Sequence, residues 1–462
     1  MKKRKIAMIT AMAMLAVGCI GCGASDSNSP GSADSQSKPP ESTIESEADA
    51  TESETDVYSL TKDDLEGRSI TLTTAEDWWN DTYQGLIDAY CQEFGVNIEV
   101  NILPAETASE VIKSQFATGE LADITMNSAS PSELTYMRAN EMLADMSNEP
   151  WVEKISDTSG FLYTDGKLYG LPLASQDYWG FAANKTVLEA CGLSVPTSKE
   201  ELVRCFDTLK KNGYIPFYSG AGDAWMCGNI TSPGLWADME KDPQLIEKYN
   251  TNQLKYSDSE SFKALLQDVA DWAAAGYFGD NYMSQTWDGM QEAVANDECG
   301  FSIGLTSWLT SLDTTYGEGT SDKIELIPYY IGENDSIYQS TCCELYVSRT
   351  TENLDVCKHL FNWLASDDNL QKLYDGLGSA SIFKGIVSEG MCDSTKELMA
   401  KISDGTYGLY VAHNSVVQGQ DWDTLCSMMQ EVYMGNMTPD DFCSQYDEYR
   451  ESICISLGME GF

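Results

Sequence analysis

The chain is 462 residues long, too long for one ordinary hydrophobic core, so two or more lobes are expected. Its 73 acidic against 28 basic residues leave a formal charge of −45, and so negative a surface argues against nucleic acid and electrostatic membrane partners. Only two histidines, His359 and His413, are present. Imidazole metal sites and most histidine catalysis are therefore poorly supplied, and binding chemistry falls to Trp, Tyr, Asn, Gln and carboxylates; no cofactor and no metal are expected.

Residues 1–22 read as an export leader: "MKKRK" is basic, "IAMITAMAMLAV" is apolar but short for a membrane span, and "GCIGCG" follows. Small residues before a cysteine resemble the bacterial lipoprotein cleavage box. Cys19, preceded by Leu15, Ala16, Val17 and Gly18, fits better than the alternative Cys22. Residues 23–60 are rich in Ser, Glu, Asp, Pro and Ala and cannot bury enough apolar surface to fold, so they read as an acidic tether.

The globule opens with βαβαβ logic. "SITLTT" (69–74) is a strand, Leu86, Ile87, Tyr90 and Phe94 mark a helix face, and "VNIEVNI" (96–102) alternates as a second strand. Val111, Ile112 and Phe116 mark another helix stopping at Gly119, and "DITMN" is the third strand. In such parallel sheets, ligands meet the carboxyl ends of the strands. These ends place Trp78, Trp79, Asn80, Glu106 and Asn127 as candidates. "DYWGFAANK" (177–185) puts an acid and two aromatics at the head of an apolar strand, an odd beginning for a strand buried on both faces. Thr197 with Glu200, and Ser257 with Glu260, have capping-box spacing ahead of helices ending near Gly213 and Gly276. Trp272 lies at helical spacing with Phe262, Leu265, Leu266 and Val269 and reads as core. The twelve cysteines beyond Cys19 and Cys22 form no C-x-x-C, so no zinc site is expected; an even dozen could pair as disulfides in an oxidising compartment, but many lie in apolar helical patterns, which favours mostly free buried thiols.

Four segments in order carry a resemblance: "SQFATGELADITMNS", "DGKLYGLPLASQDYWGFAANKTVLEACGLSVPTSKEELVRCFDTLKKNGYIPF", "AAAGYFGDNYMSQTWDGMQEAVANDECGFSIGLTSW" and "EVYMGNMTPDDF". Together they resemble the extracellular solute-binding proteins of ABC importers, family 1, from about residue 66 to the C terminus. Ala183 departs from the family's usual Tyr before Asn-Lys. The resemblance implies a two-lobed α/β periplasmic-binding-protein-like fold, with two or three hinge crossings and a ligand cleft between the lobes. Lobe 1 is expected at 66–177 and 330–378, lobe 2 at 178–329 and 379–462. The crossings are expected at "PLASQDYWGFAANK", "IELIPYYIG" (324–332) and "GLGSASIF" (376–383).

The resemblance also implies site residues. Asp177 and Tyr178 leave the hinge facing the cleft, Asp223 and Trp225 lie in a ligand-facing loop, Trp308 is a strand-end aromatic, and Trp422 sits at the cleft mouth. Trp151, Trp236, Trp287 and Trp363 are expected in the core or on lobe surfaces. The implied function is a lipid-anchored, monomeric receptor on the extracytoplasmic face of the membrane, not an enzyme. It would bind a carbohydrate, an oligosaccharide in particular, and deliver it to ABC transporter permease subunits, touching the membrane only through its anchor and no nucleic acid. Alternatives are a binder of a cation or polyamine, a glycoside-processing enzyme using paired carboxylates, and an anchored adhesion or regulatory module. Because two acyl chains hold a protein to a membrane stably and one does so only marginally, Cys19→Ser should shed the protein into the medium. Release by Cys22→Ser alone would move the lipid to that residue.

Overall fold

The structure is a computed structural model that describes residues 57–128, 134–135, 137–163, 165–173, 176–242, 244–341, 343–411 and 417–462. Cys19, Cys22 and the tether up to residue 56 lie outside the described residues. The tether expected to reach residue 60 ends earlier, since the Tyr58 hydroxyl donates to Glu149 at 2.5 Å and Leu60 packs on the first lobe's core.

Alternating apolar and β-branched residues give β1 (Ser69–Ala75), β2 (Asn97–Leu103) and β3 (Ile124–Ser128). The helices between them, α1 (Asp81–Phe94) and α2 (Ala105–Thr118), end on Gly95 and Gly119 at φ 72° and 76°, a left-handed turn that glycine adopts without a Cβ clash. β1 runs parallel to β2 and β3. β4 (Gly170–Leu171) and β10 (Cys343–Val347) complete a sheet in the order β2–β1–β3–β10–β4, with β10 antiparallel to β3 and β4. One face of this sheet, with Leu72, Ile124 and Leu345, packs on Ile87, Leu360 and Leu373. The other carries Tyr346 toward Ile112 and Phe116 of α2.

The second sheet is built around β5 (Gln176–Asn184), buried from Asp177 to Asn184. β7 (Cys299–Leu305), β8 (Ile324–Ile327) and β9 (Ser336–Thr341) pair with it antiparallel; β6 (Ile215–Tyr218) joins β7 and β11 (Gly408–Val411) joins β9, both parallel. Helices α3 (Lys199–Lys211), α4 (Ala224–Asn229), α5 (Glu260–Ala274), α6 (Trp287–Ala295) and α7 (Thr306–Tyr316) cover it. Trp272 is buried in α5 as expected. The caps sit one or two residues beyond the expected ones. Ser198, not Thr197, accepts the Glu201 N–H, while Thr197 is held by the Glu201 carboxylate. Likewise Ser259 rather than Ser257 caps α5 by accepting from Phe262. Cys205, Cys227, Cys299, Cys357, Cys426 and Cys443 are buried free thiols, and burial pushes Cys299 and Cys443 up to about 12.

The chain leaves the first sheet after β4 and enters the second at β5. It does not return at 324–332, because β8 pairs with β5 from Phe181 to Asn184 and β9 pairs with it from Gln176 to Trp179. The return lies between Thr341 and Cys343, so residues 330–341 belong to lobe 2. In the third segment Gln176 bridges Ala380, but Phe383 bridges Ile155, and Ile382 and Phe383 pack in the first core. Ser388 and Glu389 still bond to Tyr374 and Asp375 in α9 (Asp367–Leu377), which follows α8 (Leu354–Leu364). The chain therefore reaches lobe 2 only after Gly390, at α10 (Asp393–Ser403), whose Lys401 pairs with Glu325 of β8. Residues 382–390, expected in lobe 2, belong to lobe 1. Two further helices, α11 (Trp422–Tyr433) and α12 (Pro439–Ser456), complete lobe 2.

The backbone of β8 passes so close to β5 that a Cβ on Gly180 would lie 2.3 Å from the Ile327 carbonyl oxygen and 2.9 Å from Ile337. Gly180→Ala should cost about 1–3 kcal/mol in urea unfolding. Gly85→Ala in α1, where no atom lies within 4 Å of the added Cβ, should instead stabilise by about 0.5–1 kcal/mol. Equal midpoints for the two variants would refute the close-packing account.

Candidate functional site

Strand direction defines the cleft. In lobe 1 the carboxyl ends of β1, β2 and β3 share an edge with the start of β10, since Cys343 lies opposite Ser128, and with the end of β4. In lobe 2 the start of β5 and the end of β9 share an edge with the ends of β6 and β7, because Gln176 lies opposite Thr341 and Trp179 opposite Leu305. Two short crossings, from β4 to β5 and from β9 to β10, join these two edges to each other. The edges therefore face one another across the hinge.

On the lobe-1 side, Trp78 closes a short 3₁₀ turn and packs half-buried on the core beneath it. Trp79 stacks on Tyr83 with centroids 5.6 Å apart and donates its indole N–H to Gln84 at 3.0 Å. Asn80 caps α1, accepting from the backbone of Thr82 and Tyr83. Glu106 lies in the first turn of α2, its side chain outside the described residues. Asn127 is buried, its amide donating to the Met137 sulfur at 3.0 Å.

On the lobe-2 side, Asp177 is 2% exposed and binds the start of α7. It accepts from the Thr306 hydroxyl at 2.9 Å, the Ser307 N–H at 2.8 Å and the Ser307 hydroxyl at 3.0 Å. Tyr178 is buried behind it, its N–H donating to Thr306 and its phenol raised by desolvation. Asp223 is likewise engaged, accepting the Trp287 N–H at 2.7 Å at the start of α6. Both acids thus bind helix N-termini, where the peptide dipoles favour negative charge.

The aromatics of this edge form one group. Trp225 and Trp287 lie 5.3 Å apart between ring centroids, and Trp287 and Trp308 lie 5.8 Å apart. Trp308 is 3% exposed, laid over Gly304 of β7 with its indole N–H unpartnered among the described residues, while Trp225 and Trp287 are half-buried. Trp422 covers Gly228 of α4, where an added Cβ would come within 3.1 Å of its ring. The strand-end aromatic expected to project is thus the buried member, and Trp287, set aside in the sequence, supplies the half-exposed ring above it. One sequence signal could have found it: Trp225, Trp287, Trp308 and Trp422 all stand in the first turn of a helix. Of the other tryptophans set aside, Trp151 is buried in the core and Trp363 bonds Glu93 on lobe 1, while the Trp236 side chain lies outside the described residues.

A further acid was missed. Glu344, opposite Asn127 in the β10–β3 pairing, is 1% exposed, and among the described residues no donor meets its oxygens in hydrogen-bond geometry. The Tyr346 hydroxyl donates to the Ser128 carbonyl at 2.9 Å. An acid within "CELYV" was the available signal. By contrast, a notch of about 260 Å³ beside Asp123, Ser348, Thr350 and Thr351 lies at the opposite edge of the lobe-1 sheet, where β3 begins and β10 ends.

Residues 85–400 match the family model described as bacterial extracellular solute-binding protein. An ABC transporter extracellular-binding protein of Pyrococcus horikoshii is 25% identical over 229 residues, 46% of this chain and 51% of that protein, so the chain spans about half the length of the curated relative it matches. A solved chitin oligosaccharide binding protein superposes with TM-score 0.70 at 18% identity, covering 84% of this chain and 100% of that one. A sugar transporter structure from Bacillus licheniformis in complex with stachyose does so with TM-score 0.66 at 16% identity, covering 83% and 100%. At these identities the likeness establishes the two-lobed fold.

Two outcomes test the site's anatomy. Trp308→Ala, truncating a buried ring, should cost about 3–5 kcal/mol of stability; an unchanged melting curve would return that ring to the surface. Burial pushes the Glu344 carboxyl from its ordinary 4.5 up to about 8. The folded chain then holds a proton that the unfolded chain has released, so stability falls as pH rises between those values. Glu344→Gln should remove that loss. It should be more stable than the wild type by over about 1 kcal/mol above pH 8 and about equal to it below pH 4.5 in urea titrations.

Proposed function

The chain belongs to the bacterial extracellular solute-binding protein family, and from that premise we propose that it is a lipid-anchored receptor for a carbohydrate, an oligosaccharide, captured between its lobes and delivered to an ABC importer. The observation that carries this reading is the group of Trp225, Trp287 and Trp308 at the lobe-2 edge, with Trp422 beside it on Gly228. Sugars present apolar C–H faces, and rigid indoles meet them with little loss of side-chain entropy. Two of the superposed structures are named for chitin oligosaccharide or hold stachyose, which agrees with this reading.

The rivals draw less support. A polyamine or cation site wants free carboxylates, and Asp177 and Asp223 are committed to backbone and hydroxyl donors. The same engagement speaks against a glycosidase, which needs one carboxyl as acid and another as base or nucleophile.

Calorimetric titration with chito-, malto-, xylo- and galacto-oligosaccharides and with spermidine tests the proposal. One saccharide series should bind, and Trp287→Ala should weaken it by about 25-fold or more, the effect of losing a contact of about 2 kcal/mol. Binding of spermidine with no response to any saccharide would overturn the carbohydrate reading. Hydrolysis of a saccharide during titration would overturn the receptor reading.

A further inference from the structure

Away from the three crossings, the lobes also meet through charge. On α2 of lobe 1, Ser109 and Lys113 stand one helical turn apart and face the first turn of α11 in lobe 2. The Lys113 ammonium lies 2.7 Å from the Asp423 carboxylate and 3.4 Å from that of Asp421, and the Ser109 hydroxyl donates to Asp423 at 3.0 Å. Asp421 is held in place because its other oxygen caps α11, accepting the Thr424 N–H at 2.8 Å. Trp422 stands between the two acids in sequence, and its ring is seated on Gly228. The first turn of α11 therefore carries both the acids that meet lobe 1 and the aromatic expected at the cleft mouth.

We propose that Lys113, Ser109, Asp421 and Asp423 form an electrostatic latch that holds the lobes closed, so that ionic strength sets how readily the cleft opens. An isolated surface ion pair contributes little, because water screens it and two long side chains must be ordered. This contact differs in two ways. Lys113 and Asp421 keep only 17% and 12% of their side-chain surface exposed, and one cation serves two carboxylates, one of them already fixed by the helix it caps. On a chain with 73 acidic residues, mutual repulsion between lobes opposes closure, and one lysine placed between two aspartates relieves it locally. These contacts join the two lobes as the structure holds them, and swinging the lobes apart would break them, so they bias the open–closed equilibrium by their own free energy.

The test needs no ligand, so it stands or falls separately from the carbohydrate reading. Small-angle X-ray scattering of the wild type, Lys113→Met and Asp423→Asn is compared at about 20 mM and about 500 mM salt, where the screening length falls from over 20 Å to under 5 Å. Asp423 is chosen over Asp421 because it does not cap the helix. Both variants should show a larger radius of gyration at low salt, from about a fivefold shift toward the open form, equivalent to about 1 kcal/mol. Salt screens both the latch and the repulsion between the acidic lobes, so the readout is the difference between proteins: the gap in radius between the wild type and each variant should shrink as salt rises. The exchange variant Lys113→Asp with Asp423→Lys should recover part of the low-salt closure. Circular dichroism melts verify that each variant is folded. A gap between wild type and variants that does not shrink with salt, or a Lys113→Met radius equal to the wild type at both salts, would overturn the latch.

Discussion

A single buried carboxylate ties the hinge to the ligand-facing edge of lobe 2. Asp177 lies at the start of the first crossing strand, 2% exposed, with three donors from Thr306 and Ser307 arrayed around it. Removed from water without those donors, the charge would cost several kcal/mol; with them it becomes a fixed joint. The joint sets where α7 begins, α7 places Trp308 over Gly304, and Trp308 backs Trp287, whose backbone is held in turn by Asp223. The acids that sequence reasoning offered as ligand contacts thus position the aromatics.

Lobe 1 presents a different kind of edge. Its aromatics are held by their neighbours, Trp79 on Tyr83 and Gln84, and its polar side chains either cap a helix, as Asn80 does, or are buried, as Asn127 and Glu344 are. The two edges are joined where β4 gives way to β5 and β9 to β10.

Much of this fold was legible in the sequence because local signals and long-range order agreed. β1 to β3, the glycine stops at Gly119 and Gly276, and the core role of Trp272 followed from periodicity, and the ordered family segments supplied the two lobes. What was not legible depended on pairing partners far along the chain. "IELIPYYIG" reads equally well as a crossing or as a sheet strand, and only its register with Phe181–Asn184 decides. The return of 382–390 to lobe 1 rests on Phe383 meeting Ile155, a contact without local trace. In the site, strand-end position indicated which segments gather at the cleft but not which way each ring turns. Trp287 stands at helical spacing with Met290 and Val294, which reads as a core ring, and its half-exposed place emerges only once α6 is seen to start beside the end of β6 and α7.

The C-terminal helices have a consequence for how such a chain matures. Asp447 of α12 accepts from the backbone of Tyr256 and Ser257, and Arg450 donates to the carbonyls of Tyr249 and Gln418. Lobe 2 therefore draws its core from both sides of the residues that rebuild lobe 1, and lobe 1 likewise awaits β10, α8 and α9 from beyond residue 341. Neither half can close its core from an N-terminal fragment alone, so loop-closure entropy postpones compact structure until nearly the whole chain is present. For this chain, late assembly is a property of the connectivity itself.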